Sequence, residues 1–437
     1  MQRVCINGTF SDWSFILAGV PQGSILGPLL FLIFINDLTE VLHFSHMRLF
    51  ADDTCLYISI DNRERTKELI NIDLKAIHDW SKRWLVDFSV PKTKTLIISN
   101  KRDRDDNPRV EMNNSLIDEV QSHKHLGVIL QQTLMWSSHI DEIYTKAMRR
   151  LDVIQRIKFK VSRNCLQRYY FSFVLPILEY ADTLWSGAHD QDLNKLDKVH
   201  LRAMRIVTGA TQRCSTQALY EDIGWHTLSQ RRRIHRLRLF YKIRNNLSPD
   251  YLMQLMPQTV QDRNPYALRN REDLTPFRTQ RQFFSKSFFP QTTKDWNELP
   301  LELRCAKTLS SFNRMLSVKF PTLHTRLWFG QGDRRLDIIH TRIRMGCSSL
   351  KSDLHFNLHV EDNPYCACGR VIETPTHYFL NCIRFRDLRV NLVNEISEYA
   401  IPSIGVILSG DINLSVDDNI SIVLSVQKCI RLIKRFE

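Results

Sequence analysis

Two clusters of potential ligands lie at opposite ends of this 437-residue sequence. Near the start, Asp52 and Asp53 stand side by side between apolar residues at alternate positions: Met47, Leu49 and Ala51 before them, Leu56, Ile58 and Ile60 after. That alternation predicts two period-2 strands with the acids at their turn. Adjacent carboxylates are hard oxygen donors suited to Mg²⁺, although acids also favour turns that hold no metal. Near the end, Cys366-x-Cys368-Gly369 is followed by His377-x4-Cys382, four soft or borderline donors within 17 residues. Three thiolates and an imidazole are a donor set for tetrahedral Zn²⁺; the alternative is buried reduced thiols beside a surface histidine. Thr374-Pro375 reads as a helix cap and first helical residue ahead of His377.

A third set is cationic. At 100° per residue, Ile234, Leu237, Phe240 and Tyr241 fall on one arc of a helix, while Arg231, Arg232, His235, Arg238 and Lys242 fall on another. Almost no acids accompany them in the local sequence, so the arc is either a solvated face or a contact surface for a nucleic-acid backbone. The net charge of +13 fits a polyanionic partner, because each phosphate contact by Lys or Arg releases condensed counterions. Charge alone is equally compatible with a basic protein that binds nothing of the kind.

The elements that must carry these residues change along the chain. A length of 437 residues predicts more than one unit, since single cores rarely grow past about 250–300 residues. Residues 1–132 contain the strand pattern, an amphipathic helix over Glu68–Trp84 and a polar loop over 100–108. Residues 133–248 read as helical, with helices over Ser138–Lys158, Cys165–Trp185 and Asp192–Thr208. From 249 to 345 the sequence mixes Pro, Arg and Phe without clear periodicity, a basic and partly irregular connector. Residues 346–437 hold the Cys/His cluster. The first residues are polar and mixed, unlike a secretory signal, and the apolar run Leu29–Ile35 is too short for a bilayer span of about 20 residues. No membrane partner is expected. Ten cysteines without a dense framework suggest reduced thiols in a nuclear or cytoplasmic compartment.

The run from Gly19-Val20-Pro21-Gln22-Gly23-Ser24 to Ile35-Asn36-Asp37-Leu38, then Phe50-Ala51-Asp52-Asp53, resembles the palm of non-LTR, jockey-like retrotransposon reverse transcriptases. Trp84-Leu85-Val86-Asp87-Phe88 with Lys92-Thr93-Lys94 looks like palm motif D. His125-Leu126-Gly127-Val128 looks like the primer grip. Weaker likeness continues through Leu175–Ala181, Phe288-Phe289-Pro290 and Trp296–Pro300 to the Cys/His cluster. The resemblance implies an α+β fold: the C-terminal part of a right-hand polymerase palm, a helical thumb-like region, an irregular connector and a small zinc-knuckle-like module. It implies RNA-directed DNA polymerase chemistry, in which two Mg²⁺ ions join dNTPs to a DNA primer on an RNA template. Asp52 and Asp53 would hold Mg²⁺, Gln22 and Gly23 would touch the templating base and incoming nucleotide, and Lys92 would meet the leaving pyrophosphate. Gly19 and Gly23 suit a tight turn that approaches a base pair closely. Leu29 to Leu38 would pack beneath the palm sheet.

The same resemblance implies a third metal-binding aspartate, in motif A, many tens of residues before Gly19. Only 18 residues precede Gly19 here, and Asp12 lacks the apolar strand that motif A needs. The expectation is therefore a palm cut within its sequence and inactive by itself. The alternative is a non-catalytic nucleic-acid-binding remnant.

Overall fold

Asn62 opens the helix that organises the first part of the chain, its side chain accepting a hydrogen bond from Arg65 N. In this computed structural model, which describes residues 1–15, 19–20, 23–99, 108–263, 271–322, 326–369 and 371–436, the chain forms two compact units, Met1–Met135 and Trp136–Glu437. The expected polar loop over 100–108 lies outside the described residues except for Pro108.

In the first unit, helix α1 (Gly27–Ile35) leads through a short 3₁₀ turn into a hairpin of β1 (His46–Phe50) and β2 (Asp53–Tyr57). The strands pair antiparallel from His46 opposite Tyr57 to Phe50 opposite Asp53, which leaves Ala51 and Asp52 as a two-residue turn. Met47 points inward and His46 and Arg48 outward, as the alternation predicts, but the turn is Ala51-Asp52 rather than Asp52-Asp53, and β2 does not alternate and ends at Tyr57, short of Ile58 and Ile60. Helix α2 (Arg63–Trp84) starts earlier than its apolar pattern suggests, because the Asn62 cap supports a polar first turn. It lays Leu74, Ile77 and Trp80 against Ile35, Leu38 and Met47. A second hairpin, β3 (Ser122–His125) and β4 (Val128–Gln131), carries the stretch that resembles the primer grip.

Helix α1 departs from expectation. Of the run Leu29–Leu38, only Ile35 and Leu38 are buried, and Leu29, Leu30, Leu32 and Ile33 are 46–66% exposed. The helix is apolar on every side, so a single contact with α2 and the 3₁₀ turn leaves most of its circumference uncovered.

The second unit is helical: α3 (Ser137–Ile157), α4 (Arg163–Tyr169), α5 (Asp190–Thr208), α6 (Thr216–Ile223), α7 (Leu228–Arg244), α8 (Phe288–Asn297), α9 (Leu309–Lys319), α10 (Arg334–Arg344), α11 (Arg386–Ser397) and α12 (Val416–Ile433) are its longer elements. The helix expected over Cys165–Trp185 is broken. Pro176 lacks the N–H needed to continue the ladder, and Ala181 takes a left-handed φ of 52°. Packing also differs from the expected boundaries at 248 and 345. The apolar arc of α7 shares a core with Trp296 of α8 and Phe312 of α9, and α10 lays Leu336 and Ile343 against Tyr378, Phe379 and Val426. The stretch read as an irregular connector thus contains ordered helices. Helices α8, α9 and α10 are short, 10 or 11 residues each, and separated by irregular segments, so no single run of helical period extends along the stretch.

Candidate functional sites

Asp73 explains how the acidic hairpin is held. It lies on the buried side of α2, where its carboxylate accepts hydrogen bonds from the backbone N–H groups of His43, Phe44 and Ser45 at 2.9, 3.1 and 2.7 Å, and from Ser45 Oγ at 2.6 Å. Burial alone would raise this carboxyl, but the Ser45 hydroxyl and the three amides outweigh it and hold it below the ordinary range. The approach to β1 is thereby fixed to α2. Asp37 adds a second tie, accepting from Trp80 Nε1 at 3.0 Å. Nothing in the local sequence marks Asp73, since its partners lie about 30 residues away.

The hairpin tip presents Asp52 in the turn and Asp53 as the first residue of β2, both exposed. Ala51 takes a φ of 51°, which lets a two-residue turn bring the acids next to each other at the end of the ribbon. Among the described residues, no third His, Cys, Asp or Glu converges with them. Lys92 sits exposed on a short 3₁₀ turn, with no ion-pair partner among the described residues. Gly23 has a φ of 87° and Gly19 one of 73°, and a Cβ at either would meet nothing within 4 Å. Their left-handed backbone, rather than a tight contact, is what requires glycine here. Gln22 lies outside the described residues.

The Cys/His residues are brought together. Backbone hydrogen bonds from Cys366 N to Val371 O and from Gly369 N to Cys366 O form a tight knuckle, with Tyr365 and Ile372 bridged antiparallel at its base. Thr374 Oγ1 then accepts from His377 N at 3.1 Å, the cap expected from Thr-Pro, and the following turn carries His377. One ligand atom from each of Cys366, Cys368, His377 and Cys382 lies within 4.8 Å of the other three. Cys366 Sγ and Cys382 Sγ are 3.9 Å apart, and Cys368 Sγ is 3.2 Å from His377 Nε2. A tetrahedron with Zn–S bonds of about 2.3 Å has edges of about 3.8 Å, so the spacing and the soft donor set both suit Zn²⁺. The knuckle is anchored by Glu373, whose carboxylate receives two hydrogen bonds from Arg435, at 3.1 and 3.0 Å, and one from Lys351 N at 2.9 Å.

The basic arc of α7 is not the acid-free surface that its sequence suggests. Arg231 is clamped by the Glu179 carboxylate, Arg232 is buried, and His235 Nδ1 lies 2.7 Å from Asp182. Arg236, from the same helix, pairs with Asp295 at 2.7 Å. Lys242 is exposed and Arg238 half-buried. The balancing acids come from segments more than 50 residues away, invisible to a local count. The apolar arc is buried as predicted.

A larger buried network, also illegible in the sequence, joins α4, α6 and α10. Asp222 receives Arg163 at 2.7 Å and Arg344 at 2.5 Å, and Arg344 lies 3.6 Å over the Phe329 ring. Burial would raise the Asp222 carboxyl, yet the two guanidinium groups override it and hold it below the usual range.

The hairpin, its α2 support and the glycine turn lie in a segment that matches a known family: residues 3–130 fit the model for reverse transcriptase (RNA-dependent DNA polymerase). The first unit thus carries a reverse transcriptase domain. That domain is of the non-LTR retrotransposon type. Over 260 residues the chain is 27% identical to the RNA-directed DNA polymerase from mobile element jockey of Drosophila melanogaster, covering 57% of this chain and 28% of that protein. It is 25% identical over 255 residues to the probable RNA-directed DNA polymerase from transposon BS, covering 56% and 28%, and 24% identical over 273 residues to that from transposon X-element, covering 60% and 30%, both of the same fly. The matched region is less than a third of the length of these relatives. Among the described residues, no helix is long and apolar enough to cross a membrane.

Proposed function

We propose that this chain supplies part of an RNA-directed DNA polymerase, with Asp52 and Asp53 as two of the carboxylates of a two-metal centre for nucleotidyl transfer. The observation that carries this reading is the exposed hairpin tip, which presents two adjacent carboxylates within a reverse transcriptase domain. Hard oxygen donors fit Mg²⁺, which when bound would activate a primer 3′-hydroxyl and hold the triphosphate. The substrates on this reading are an RNA template, a DNA primer and dNTPs. Gly23 keeps the preceding loop free of a side chain, and Asp73 and Asp37 hold the start of the hairpin to α2 so that the two acids have a fixed position. Lys92 is the candidate for neutralising the leaving pyrophosphate.

Two carboxylates do not complete the centre, and no third converges with them among the described residues. Purified chain given primer–template, dNTPs and Mg²⁺ or Mn²⁺ is therefore expected to extend primer no faster than its Asp52→Asn, Asp53→Asn double variant. Extension that disappears in the double variant would show a complete centre and overturn this part of the proposal.

The Cys366, Cys368, His377 and Cys382 cluster is read as a structural zinc knuckle, because its four donor atoms lie within 4.8 Å of one another and all four come from protein side chains. Contact between α7 and nucleic acid rests on Lys242 and Arg238. The neighbouring Arg231, Arg232 and His235 are committed to holding α7 in the fold.

A further inference from the structure

Away from the hairpin and the Cys/His cluster, α10 and α12 pack side by side and enclose an open groove of about 280 Å³. Its floor is apolar, built from Leu336, Ile339 and the ring of Phe436. Its rim carries Arg335, Arg431 and Lys434, all exposed and none with an ion-pair partner among the described residues. Among the described residues that line the groove there is one acid, Asp333, which serves as a helix cap. Its Oδ1 accepts from Arg335 N at 2.9 Å and Leu336 N at 3.1 Å as the cap of α10.

Helix stability accounts for only part of this arrangement. Arg431 and Lys434 stand at the C-terminal end of α12, where positive charge complements the helix dipole. Arg335 stands in the first turn of α10, where positive charge opposes it. The groove therefore gathers one cation that its own helix disfavours and two from a different helix around a shared apolar floor. A ligand with an anionic end and a flat apolar body meets both demands.

We propose that this groove binds one nucleotide unit of a single-stranded nucleic acid, its base against Leu336, Ile339 and Phe436 and its phosphate between Arg335, Arg431 and Lys434. Aromatic and apolar surfaces accept unpaired bases with little regard to sequence, and guanidinium groups engage phosphate oxygens through paired N–H donors. A base locked in a duplex has no free face to offer the floor. The proposal is independent of the reading of Asp52 and Asp53, and its test uses no polymerase activity.

Fluorescence anisotropy with full-length chain and a labelled single-stranded oligonucleotide, RNA in one arm and DNA in the other, measures the effect directly. The variant Arg335→Gln, Arg431→Gln, Lys434→Gln is expected to flatten the slope of log affinity against log salt by about 0.7, the share of the one phosphate that is no longer neutralised. A charge-matched control, Lys307→Gln, Arg314→Gln, Lys319→Gln, alters exposed residues on and before α9 and is expected to change that slope by well under half as much. Ile339→Glu, placing a carboxylate on the floor, is expected to weaken single-strand binding without removing a cation. Equal effects in the groove and control variants would reduce the result to net charge and overturn the site. So would duplex binding reduced as much as single-strand binding, or polyglutamate competing as well as the oligonucleotide. Unchanged far-ultraviolet circular dichroism and melting midpoints confirm that the exposed substitutions leave the fold intact.

Discussion

Replacement of Cys382 by serine is expected to remove stoichiometric zinc from the full-length protein and to lower its apparent zinc affinity at least about a hundredfold. Loss of outer-shell partners alone costs ligated sites about 10–100-fold, and Cys382 is itself a proposed ligand, buried and 3.9 Å from Cys366. Structural zinc supplies folding free energy directly, on the order of 10–16 kcal/mol in small zinc modules, because the unfolded chain has no preformed cage. The helical turn that carries His377 and leads to Cys382 also places Tyr378 and Phe379 in the core shared with α10 and α12. Loosening of the knuckle should therefore spread into that core and lower the melting midpoint. Cys305→Ser alters an exposed thiol outside the cluster and is expected to leave metal content unchanged. Metal analysis of the purified proteins, with a cobalt-substitution spectrum reporting thiolate ligation, checks the result. Equal metal content in the two variants, or none in the parent, would leave only buried thiols.

The second large effect concerns Asp222. Replacement by Asn leaves the buried guanidinium groups of Arg163 and Arg344 without the anion between them, and breaking a buried pair in this way costs about 3–5 kcal/mol. The melting midpoint is expected to fall by roughly 10 °C, at about 2–4 °C per kcal/mol for a unit of this size. The sign of the pH dependence follows from the depressed carboxyl. Its stabilisation is fully present above the unfolded value near 3.9 and is lost as pH falls through the lower folded value. The gap between wild type and variant is thus expected to stay flat above about pH 5 and to narrow below about pH 4. Thermal melts across that range provide the check; a gap that widens in acid would contradict the assignment.

These two sites illustrate what the sequence makes legible. The Cys/His cluster is readable because its four residues fall within 17 positions and its Thr-Pro cap sits beside His377. The acidic hairpin is readable because period-2 alternation and a two-residue turn are local properties. Asp222 is not, since Arg163 and Arg344 come from helices 59 and 122 residues away. The same holds for Asp73, which looks like any polar position on an amphipathic helix until His43, Phe44 and Ser45 fold back onto it.

The α7 arc shows how a local reading goes astray. Its apolar half is legible because burial follows helical periodicity. Its basic half looks unbalanced in sequence because Glu179, Asp182 and Asp295 are distant along the chain. Helix α1 fails in the opposite direction: a continuous apolar run suggests burial on all sides, but composition cannot say which neighbours supply the cover.

On the proposed reading, Asp52 and Asp53 are metal ligands of a nucleotidyl-transfer centre that needs a further carboxylate. Its most direct test fuses the fingers and motif A segment of a non-LTR reverse transcriptase to this chain and measures primer extension on an RNA template. Mg²⁺-dependent extension by the chimaera is expected, falling to background in both Asp52→Asn and Asp53→Asn. A well-folded chimaera that extends no primer, or one whose extension survives either substitution, would contradict that reading.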